Sequence, residues 1–323
     1  MFELSNYTKY IEEKINDMEL PEGPADLYDP LRYFLTIGGK RIRPILTLLG
    51  TELFDAQKEK SLPQALAIEV FHNFTLVHDD IMDDAPLRRN KTTIHEKWNN
   101  NVGILSGDVM LIKAYQLLCK DIDPKQLPET LELFNDTAIQ VCEGQQYDMD
   151  FETRDDVTIH EYIQMIRKKT SVLLGSALKT GAIIAGASEH DKDAIYDFGL
   201  HIGLAFQIQD DILDLYANPE KFGKQVGGDV IANKKTILYL TALNKATKEQ
   251  LEVAKQLQNE SNIELKISRT RELFDHLNVK EECQERMDAH YKLAKEAMAK
   301  ISVSTEKKAA LLSLASYLMK RDV

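Results

Sequence analysis

Along most of the chain, apolar residues return every three or four positions, the spacing that lines one face of an α-helix. Between Ser61 and Asp84 the residues Ala67, Ile68, Phe71, Phe74, Thr75, Val77, Ile81 and Met82 follow it. Pro63 lies near the start, where its missing N–H costs nothing, and Pro86 is the stop. The same pattern predicts helices over 128–150, 158–186 and 190–216, and further helices over 1–20, 29–54, 102–122 and from 234 to the end. Few segments alternate as a half-buried strand does. Gly38-Gly39 and Gly227-Gly228 mark breaks. Between them, Ser171, Gly175, Ser176, Ala177, Gly181, Ala182, Ala185 and Gly186 form a small-residue stretch. Such a face lets neighbouring helices approach closely and belongs inside.

Composition narrows this to one class. The 323 residues are 43% hydrophobic, enough to bury a large core, and only 15 Gly and 9 Pro punctuate them. No linker, low-complexity stretch or solenoid repeat divides the chain, so the expectation is a single all-α domain over 1–323. Cys119, Cys142 and Cys283 are widely spaced and odd in number, which suggests neither a disulfide framework nor a zinc site and suits a reducing cytoplasm. The opening MFELSNYTKYIEEKIND carries charge where a signal peptide would be apolar, and no apolar run approaches the length of a membrane span, so no membrane insertion is expected.

A formal charge of −12 argues against a nucleic-acid partner. Locally, however, the signs separate. Basic residues gather at Lys40-Arg41-x-Arg43, Arg88-Arg89-x-Lys91, Lys168-Lys169 and Lys234-Lys235. Carboxylates gather at Asp79-Asp80-Ile81-Met82-Asp83-Asp84 and at Asp210-Asp211-Ile212-Leu213-Asp214. One acidic run alone would read equally well as a solvated helix end. Two matched runs, each inside an apolar helix (Leu76-Val77 before the first; Phe206, Ile208 and Leu215 around the second), do not. On a helix Asp79 and Asp83 are i and i+4 neighbours, roughly 5–6 Å apart at Cβ, as are Asp210 and Asp214, so each pair repels until a divalent cation intervenes. Oxygen-only ligation suits Mg2+, which shares its shell with water and substrate phosphates.

Gly39-Lys40-Arg41-Ile42-Arg43-Pro44, the first Asp run with Arg88-Arg89 after it, Lys169-Thr170, and Phe206-Gln207-Ile208-Gln209-Asp210-Asp211 occur in that order. Together they resemble the trans-isoprenyl diphosphate synthases, from about Pro30 to Lys235. The resemblance implies a bundle of ten or more helices around a central cavity, the isoprenoid synthase type. It also implies Mg2+-dependent, head-to-tail condensation of isopentenyl diphosphate with an allylic diphosphate. By the same resemblance Asp79, Asp83 and Asp210 would hold three Mg2+ ions on the allylic diphosphate, with Asp80, Asp84, Asp211 and Asp214 around them. Arg88, Lys169, Lys224 and Lys234 match the positions that contact that diphosphate. Thr170 and Gln207 would turn oxygens toward the developing carbocation. Isopentenyl diphosphate, which must not ionise, would take Lys40, Arg43, His72 and Arg89, and His72 stands two helical turns before Asp79. No side chain stands out as a base, so the departing diphosphate would remove the final proton. A homodimer through the apolar helices around 102–145 is implied, and Gly223, Gly227 and Gly228 give a loop over 217–230 the backbone freedom to close.

Product length would be set below Asp79, toward the amino end of its helix. Phe74 and Phe71 lie about 7.5 and 12 Å down at 1.5 Å per residue, and Thr75 leaves room beside them. That arrangement resembles geranylgeranyl diphosphate synthases, with farnesyl diphosphate as the second product reading. A terpene cyclase on the same fold fits less well, because the second run is all Asp and Lys40 and Arg43 are kept for a second diphosphate. A di-iron carboxylate bundle would need a partner for Glu69-x-x-His72, and the sequence has none. An inactive partner subunit would not need so complete a set of charged positions.

Overall fold

The computed structural model describes residues 3–217 and 226–320. Its elements are helical almost throughout: α1 (Leu4–Asn16), α2 (Ala25–Thr36), α3 (Ile42–Leu53), α4 (Leu62–Met82), α5 (Ile94–Lys97), α6 (Asn100–Leu118), α7 (Leu127–Thr153), α8 (Ile159–Ile166), α9 (Val172–Ala185) and α10 (Glu189–Tyr216). After these come α11 (Gly228–Ile231), α12 (Ile237–Lys245), α13 (Lys248–Gln258), α14 (Ile263–His276), α15 (Val279–Lys300) and α16 (Thr305–Met319). The all-α expectation holds, and α4, α7 and α10 lie where apolar periodicity puts them. The predicted 29–54 helix breaks between α2 and α3, where Gly38 (φ 93°), Gly39 (φ 141°) and Arg41 (φ 51°) leave helical geometry. The span from 234 onward resolves into α12 to α16.

Two features have no counterpart in the periodicity. The predicted 158–186 helix is interrupted by a π-helical turn over Arg167–Ser171, where the Ser171 hydroxyl donates to the Ile166 carbonyl at 3.4 Å. Past Pro86, β1 (Leu87–Arg88) and β2 (Lys91–Thr92) pair antiparallel, with Arg88 opposite Lys91. Arg89 (φ 51°) and Asn90 (φ 61°) supply the two left-handed residues that a tight hairpin needs.

Contacts divide the chain into two compact units, one of residues 1–136, 173–196 and 301–313, the other of 137–172, 197–300 and 314–323. In the first, α4 is apolar on nearly every side, so Ala65, Ala67, Ile68, Val70, Phe71 and Val77 are all at or below 1% exposure, and the helix packs chiefly on α6 and α3. The small-residue stretch of α9 is inside, as expected, with Ser176, Ala177 and Ala182 fully buried. In the second unit, Ala205, Ile208, Ile212 and Leu215 of α10 pack with Tyr162 and Met165 of α8, Ile237 and Leu240 of α12, Phe274 of α14 and Cys283 of α15. That core locks the last turns of α10 and so aims the carboxylates between its apolar positions. No helix of the described residues is long and apolar enough to cross a membrane.

Candidate active site

At the end of α4 the Asp83 N–H still donates to the Asp79 carbonyl at 2.9 Å, so the two carboxylates stand one helical turn apart, as their spacing predicts. Asp79 is half-buried and Asp83 exposed, whereas Asp80 is 1% exposed. Asp80 accepts from Arg88 Nε at 2.8 Å and also from Nη2. Burial pushes the Asp80 carboxyl up, and the Arg88 guanidinium draws it back down. Arg88 is thus anchored on the hairpin by the second Asp of the run.

The basic corner of the same unit begins at Gly38-Gly39. The Arg89 guanidinium donates to the Gly38 carbonyl and lies so close that a Cβ on Gly39 would sit 2.6 Å from Arg89 Nη1. A side chain at position 39 would have to push the Arg89 guanidinium out of this position. Arg41, in left-handed geometry, turns inward and pairs with buried Glu69, while its Nη2 donates to the Leu35 carbonyl at 2.7 Å. Arg43 points elsewhere: its Nη1 lies 3.0 Å from His72 Nε2. A guanidinium only donates, so Nε2 must accept, and His72 is neutral with its proton on Nδ1. Burial, Arg43, Arg89, Arg88 and Arg41 together hold His72 well below the usual imidazole range. Burial lowers Arg43 to about 10, which leaves it cationic at neutral pH. Arg43, His72 and Arg89 are therefore brought together, and Lys40 is exposed at the adjoining turn.

This corner makes a prediction. Because folding depresses the His72 pKa, the unfolded chain takes up a proton that the folded one refuses, so stability is lost as pH falls below about 6.5. Urea melts of a His72→Gln variant should lose less stability between pH 7 and pH 5 than the parent does; equal losses would show that His72 does not carry this linkage.

In the second unit the end of α10 carries a hydrogen-bonded chain. Thr170 Oγ1 donates to Gln207 Oε1 at 3.3 Å, Gln207 Nε2 donates to Asp211 Oδ1 at 3.3 Å, and the Tyr162 hydroxyl donates to Asp211 Oδ2. Burial and the Asp229 charge push Asp211 up to about 8, against the pull of Tyr162 and Gln207. Asp229 is itself pushed up to about 6, by burial and by Asp214, Asp148 and Asp210, with Lys234 opposing. Asp214 Oδ2 accepts from the Asp229 N–H at 3.0 Å and so caps α11. Lys234 is exposed, and its backbone N–H donates to the Asp229 carbonyl at 2.9 Å. Lys169 Nζ lies 2.6 Å from Asp148 Oδ2. The π-turn that presents Lys169 and Thr170 presses on Gly144 of α7, where a Cβ would sit 2.3 Å from the Lys169 nitrogen. π-turns recur at functional sites because one extra residue re-aims a side chain. Lys224 and Gly223 lie outside the described residues.

The donors of each unit, taken separately, fit a hard divalent cation. Asp79 and Asp83 in the first unit and Asp210 in the second offer only carboxylate oxygens, and in the second unit the crowding of Asp148, Asp210, Asp214 and Asp229 raises a carboxyl pKa in a way that a bound cation would relieve. Sequence reasoning missed Asp148, Asp229, Tyr162 and the Arg41–Glu69 pair. The available signal for Asp229 was its place directly after Gly227-Gly228; for Tyr162 there was none. Of the chain-length positions, Phe71 is 1% exposed and packs edge-on to Phe134 at 5.1 Å. Phe74 and Thr75 are only half-buried, and the Thr75 hydroxyl donates back to the His72 carbonyl at 2.8 Å.

Fold and residue groups together define an all-α protein with paired acidic helix ends and a separate arginine–histidine corner, the equipment of the helical diphosphate-using synthases. The chain belongs to the polyprenyl synthetase family, whose model matches residues 24–274. It is 35% identical to a short chain isoprenyl diphosphate synthase of Methanothermobacter thermautotrophicus, over 99% of this chain and 98% of that one. It is 39% identical to the geranylgeranyl diphosphate synthase of Methanosarcina mazei, over 76% of each. A crystal structure of a geranylgeranyl pyrophosphate synthase superposes with a TM-score of 0.94 at 42% identity, covering all of both chains.

Proposed function

We propose that this protein is a prenyltransferase that condenses isopentenyl diphosphate head-to-tail with dimethylallyl, geranyl or farnesyl diphosphate and ends at geranylgeranyl diphosphate. The observation that carries this reading is the presence of two kinds of charged group: oxygen-only carboxylates, which would meet a diphosphate through bound cations, and a cationic corner of Arg43 and Arg89 with His72. One diphosphate must leave and the other must stay, so the two need different chemistry. Asp79, Asp83 and Asp210 would hold Mg2+, three ions with substrate bound, which supplies the charge neutralisation that lets a diphosphate depart. Arg88, Lys169, Lys224 and Lys234 bind the allylic diphosphate. Thr170 and Gln207 offer oxygens to the developing carbocation, with Gln207 held in place by Asp211. Lys40, Arg43, His72 and Arg89 grip isopentenyl diphosphate without ionising it; neutral His72 accepts from Arg43 and keeps that guanidinium oriented.

Incubating the protein with isopentenyl diphosphate, dimethylallyl diphosphate and Mg2+ should yield a chromatographically resolved prenyl diphosphate, and chelation by EDTA should stop it. Cyclised hydrocarbons would favour the terpene cyclase reading, and no product at all the inactive partner subunit. Half-buried Phe74 is the product-length wall on this reading. Phe74→Ala should shift the main product at least one isoprene unit longer, and an unchanged chromatogram would remove Phe74 from that role. If the wall stands closer than proposed, farnesyl diphosphate becomes the main product instead.

The family model runs through both compact units, which supports treating 1–323 as one isoprenoid synthase domain. On α6, Ile104, Leu105 and Ile112 are exposed at 45%, 58% and 59%, an apolar face suited to a second copy of the chain. Sedimentation at twice the mass of one chain is expected, and a monomer at micromolar concentration would contradict it. Among the described residues no disulfide joins Cys119, Cys142 and Cys283, in keeping with a cytoplasmic setting.

A further inference from the structure

Beside the end of α4 stands a group of Asp84, His95 and Glu96, of which His95 and Glu96 have no part in the proposed reaction. Asp84 follows the last helical turn, and His95 and Glu96 open α5. Their ligand atoms, one per residue, all lie within 4.8 Å of one another. His95 Nε2 is 4.0 Å from Asp84 Oδ1 and 3.8 Å from Glu96 Oε1. The His95 side chain is only 4% exposed, and neither of its ring nitrogens has a hydrogen-bond partner among the described residues. A buried imidazole with both nitrogens unsatisfied is costly, since each has given up its bond to water without a replacement.

We propose that Asp84, His95 and Glu96 form a site for a borderline divalent cation of the Zn2+ or Co2+ kind. The spacing favours an ion over a direct hydrogen bond. At 3.8 and 4.0 Å the nitrogen and the oxygens are too far apart to bond to each other. Two ligands bound at about 2.0–2.2 Å around a tetrahedral centre stand roughly 3.4 Å apart, so a contraction of about half an ångström brings each carboxylate to ligand spacing from His95 Nε2. One imidazole with two carboxylates is a Zn2+-type donor set, whereas Mg2+ prefers oxygen alone. The carboxylates face water, with Asp84 96% and Glu96 49% exposed at the side chain, so a hydrated ion can reach the buried nitrogen.

The scaffold holds these residues in place without a metal. Thr93, fully buried just before α5, donates from its hydroxyl to the Ala85 carbonyl at 2.8 Å and from its N–H to the Pro86 carbonyl at 3.2 Å. The start of α5 is thereby tied to the residues directly after Asp84. An ion bound here would clamp the two ends of the segment that carries Arg88 and Arg89, and would do so whether or not the prenyl transfer reading is right.

The test is a calorimetric titration of the full chain with Zn2+ in millimolar Mg2+, which keeps the oxygen-only carboxylates occupied. It is read together with the ring-nitrogen NMR signals of 15N-histidine-labelled protein, in which His95→Asn assigns the His95 signal. One Zn2+ is expected to bind and to move the His95 Nε2 resonance. Affinity should fall at least about tenfold in Glu96→Gln, since even losing a group that only orients a ligand costs 10–100-fold. Glu96 is half-exposed, so this variant should fold normally by circular dichroism. A His95 resonance unmoved by Zn2+, or equal Zn2+ affinity in the parent and Glu96→Gln, would overturn the site.

Discussion

Replacing Asp79 by Ala is expected to lower kcat/KM for prenyl transfer by at least about a thousandfold at saturating Mg2+, while the protein stays folded. The size follows from what the carboxylate does on the proposed reading. Removing one preorganised electrostatic contact to a leaving charge typically costs 10²–10³ in rate, and losing a metal ligand removes more than one such contact. The sign of the stability effect follows from geometry. Asp79 and Asp83 are like charges one helical turn apart, and Asp79 is only half-buried, so truncation relieves repulsion without opening a core cavity. Thermal melts without metal should therefore match or slightly exceed those of the parent. Steady-state kinetics alongside those melts separate the two effects; turnover within tenfold of the parent would defeat the role given to Asp79.

Glu69→Ala should act the opposite way, by destabilising the fold about 3–5 kcal/mol in urea titrations. The Arg41 and Glu69 side chains are 2% and 3% exposed, so truncating the acid strands a guanidinium inside a low-dielectric core. Asn73 Nδ2, which reaches Glu69 Oε1 at 3.2 Å, loses that acceptor too. Exposed pairs such as Lys292–Glu296, at 76% and 54%, are worth about 1 kcal/mol at most, which makes them a fair control. Replacing both partners, as Arg41→Met with Glu69→Met, should recover much of the loss, because the cost lies in the orphaned charge and not in the absence of an ion pair. A single-variant loss below about 1 kcal/mol would mean that water reaches Arg41. The pair also explains the direction of its neighbours. With Arg41 pinned to α4 at the start of α3, Arg43, two residues on, is left to meet His72.

Much of the candidate site could be read from local spacing, and the parts that could not have a common cause. The i, i+4 relation of Asp79 to Asp83 follows from helix geometry once the surrounding residues are helical. Which arginine of Lys40-Arg41-Ile42-Arg43 faces inward does not. It depends on the left-handed turn at Arg41 and on Glu69, 28 residues away. Glu69-x-x-His72, which looks in sequence like part of a metal motif, divides between Arg41 and Arg43. Asp148 and Asp229 join the acidic group only through packing of α7 and α11 near the end of α10, and Tyr162 reaches Asp211 across 49 positions.

By itself, the sequence determined an all-helical chain and two acidic pairs each on one helix face, because period and charge are local properties; the diphosphate chemistry came from the resemblance of its ordered motifs to a family. Tertiary structure decided the π-turn under Lys169 and Thr170, the hairpin that seats Arg88 and Arg89, the neutral state of His72 and the company kept by Asp84. Each of these rests on a contact between residues far apart in the chain, or on one residue added to a hydrogen-bond ladder, and neither leaves a trace in local composition.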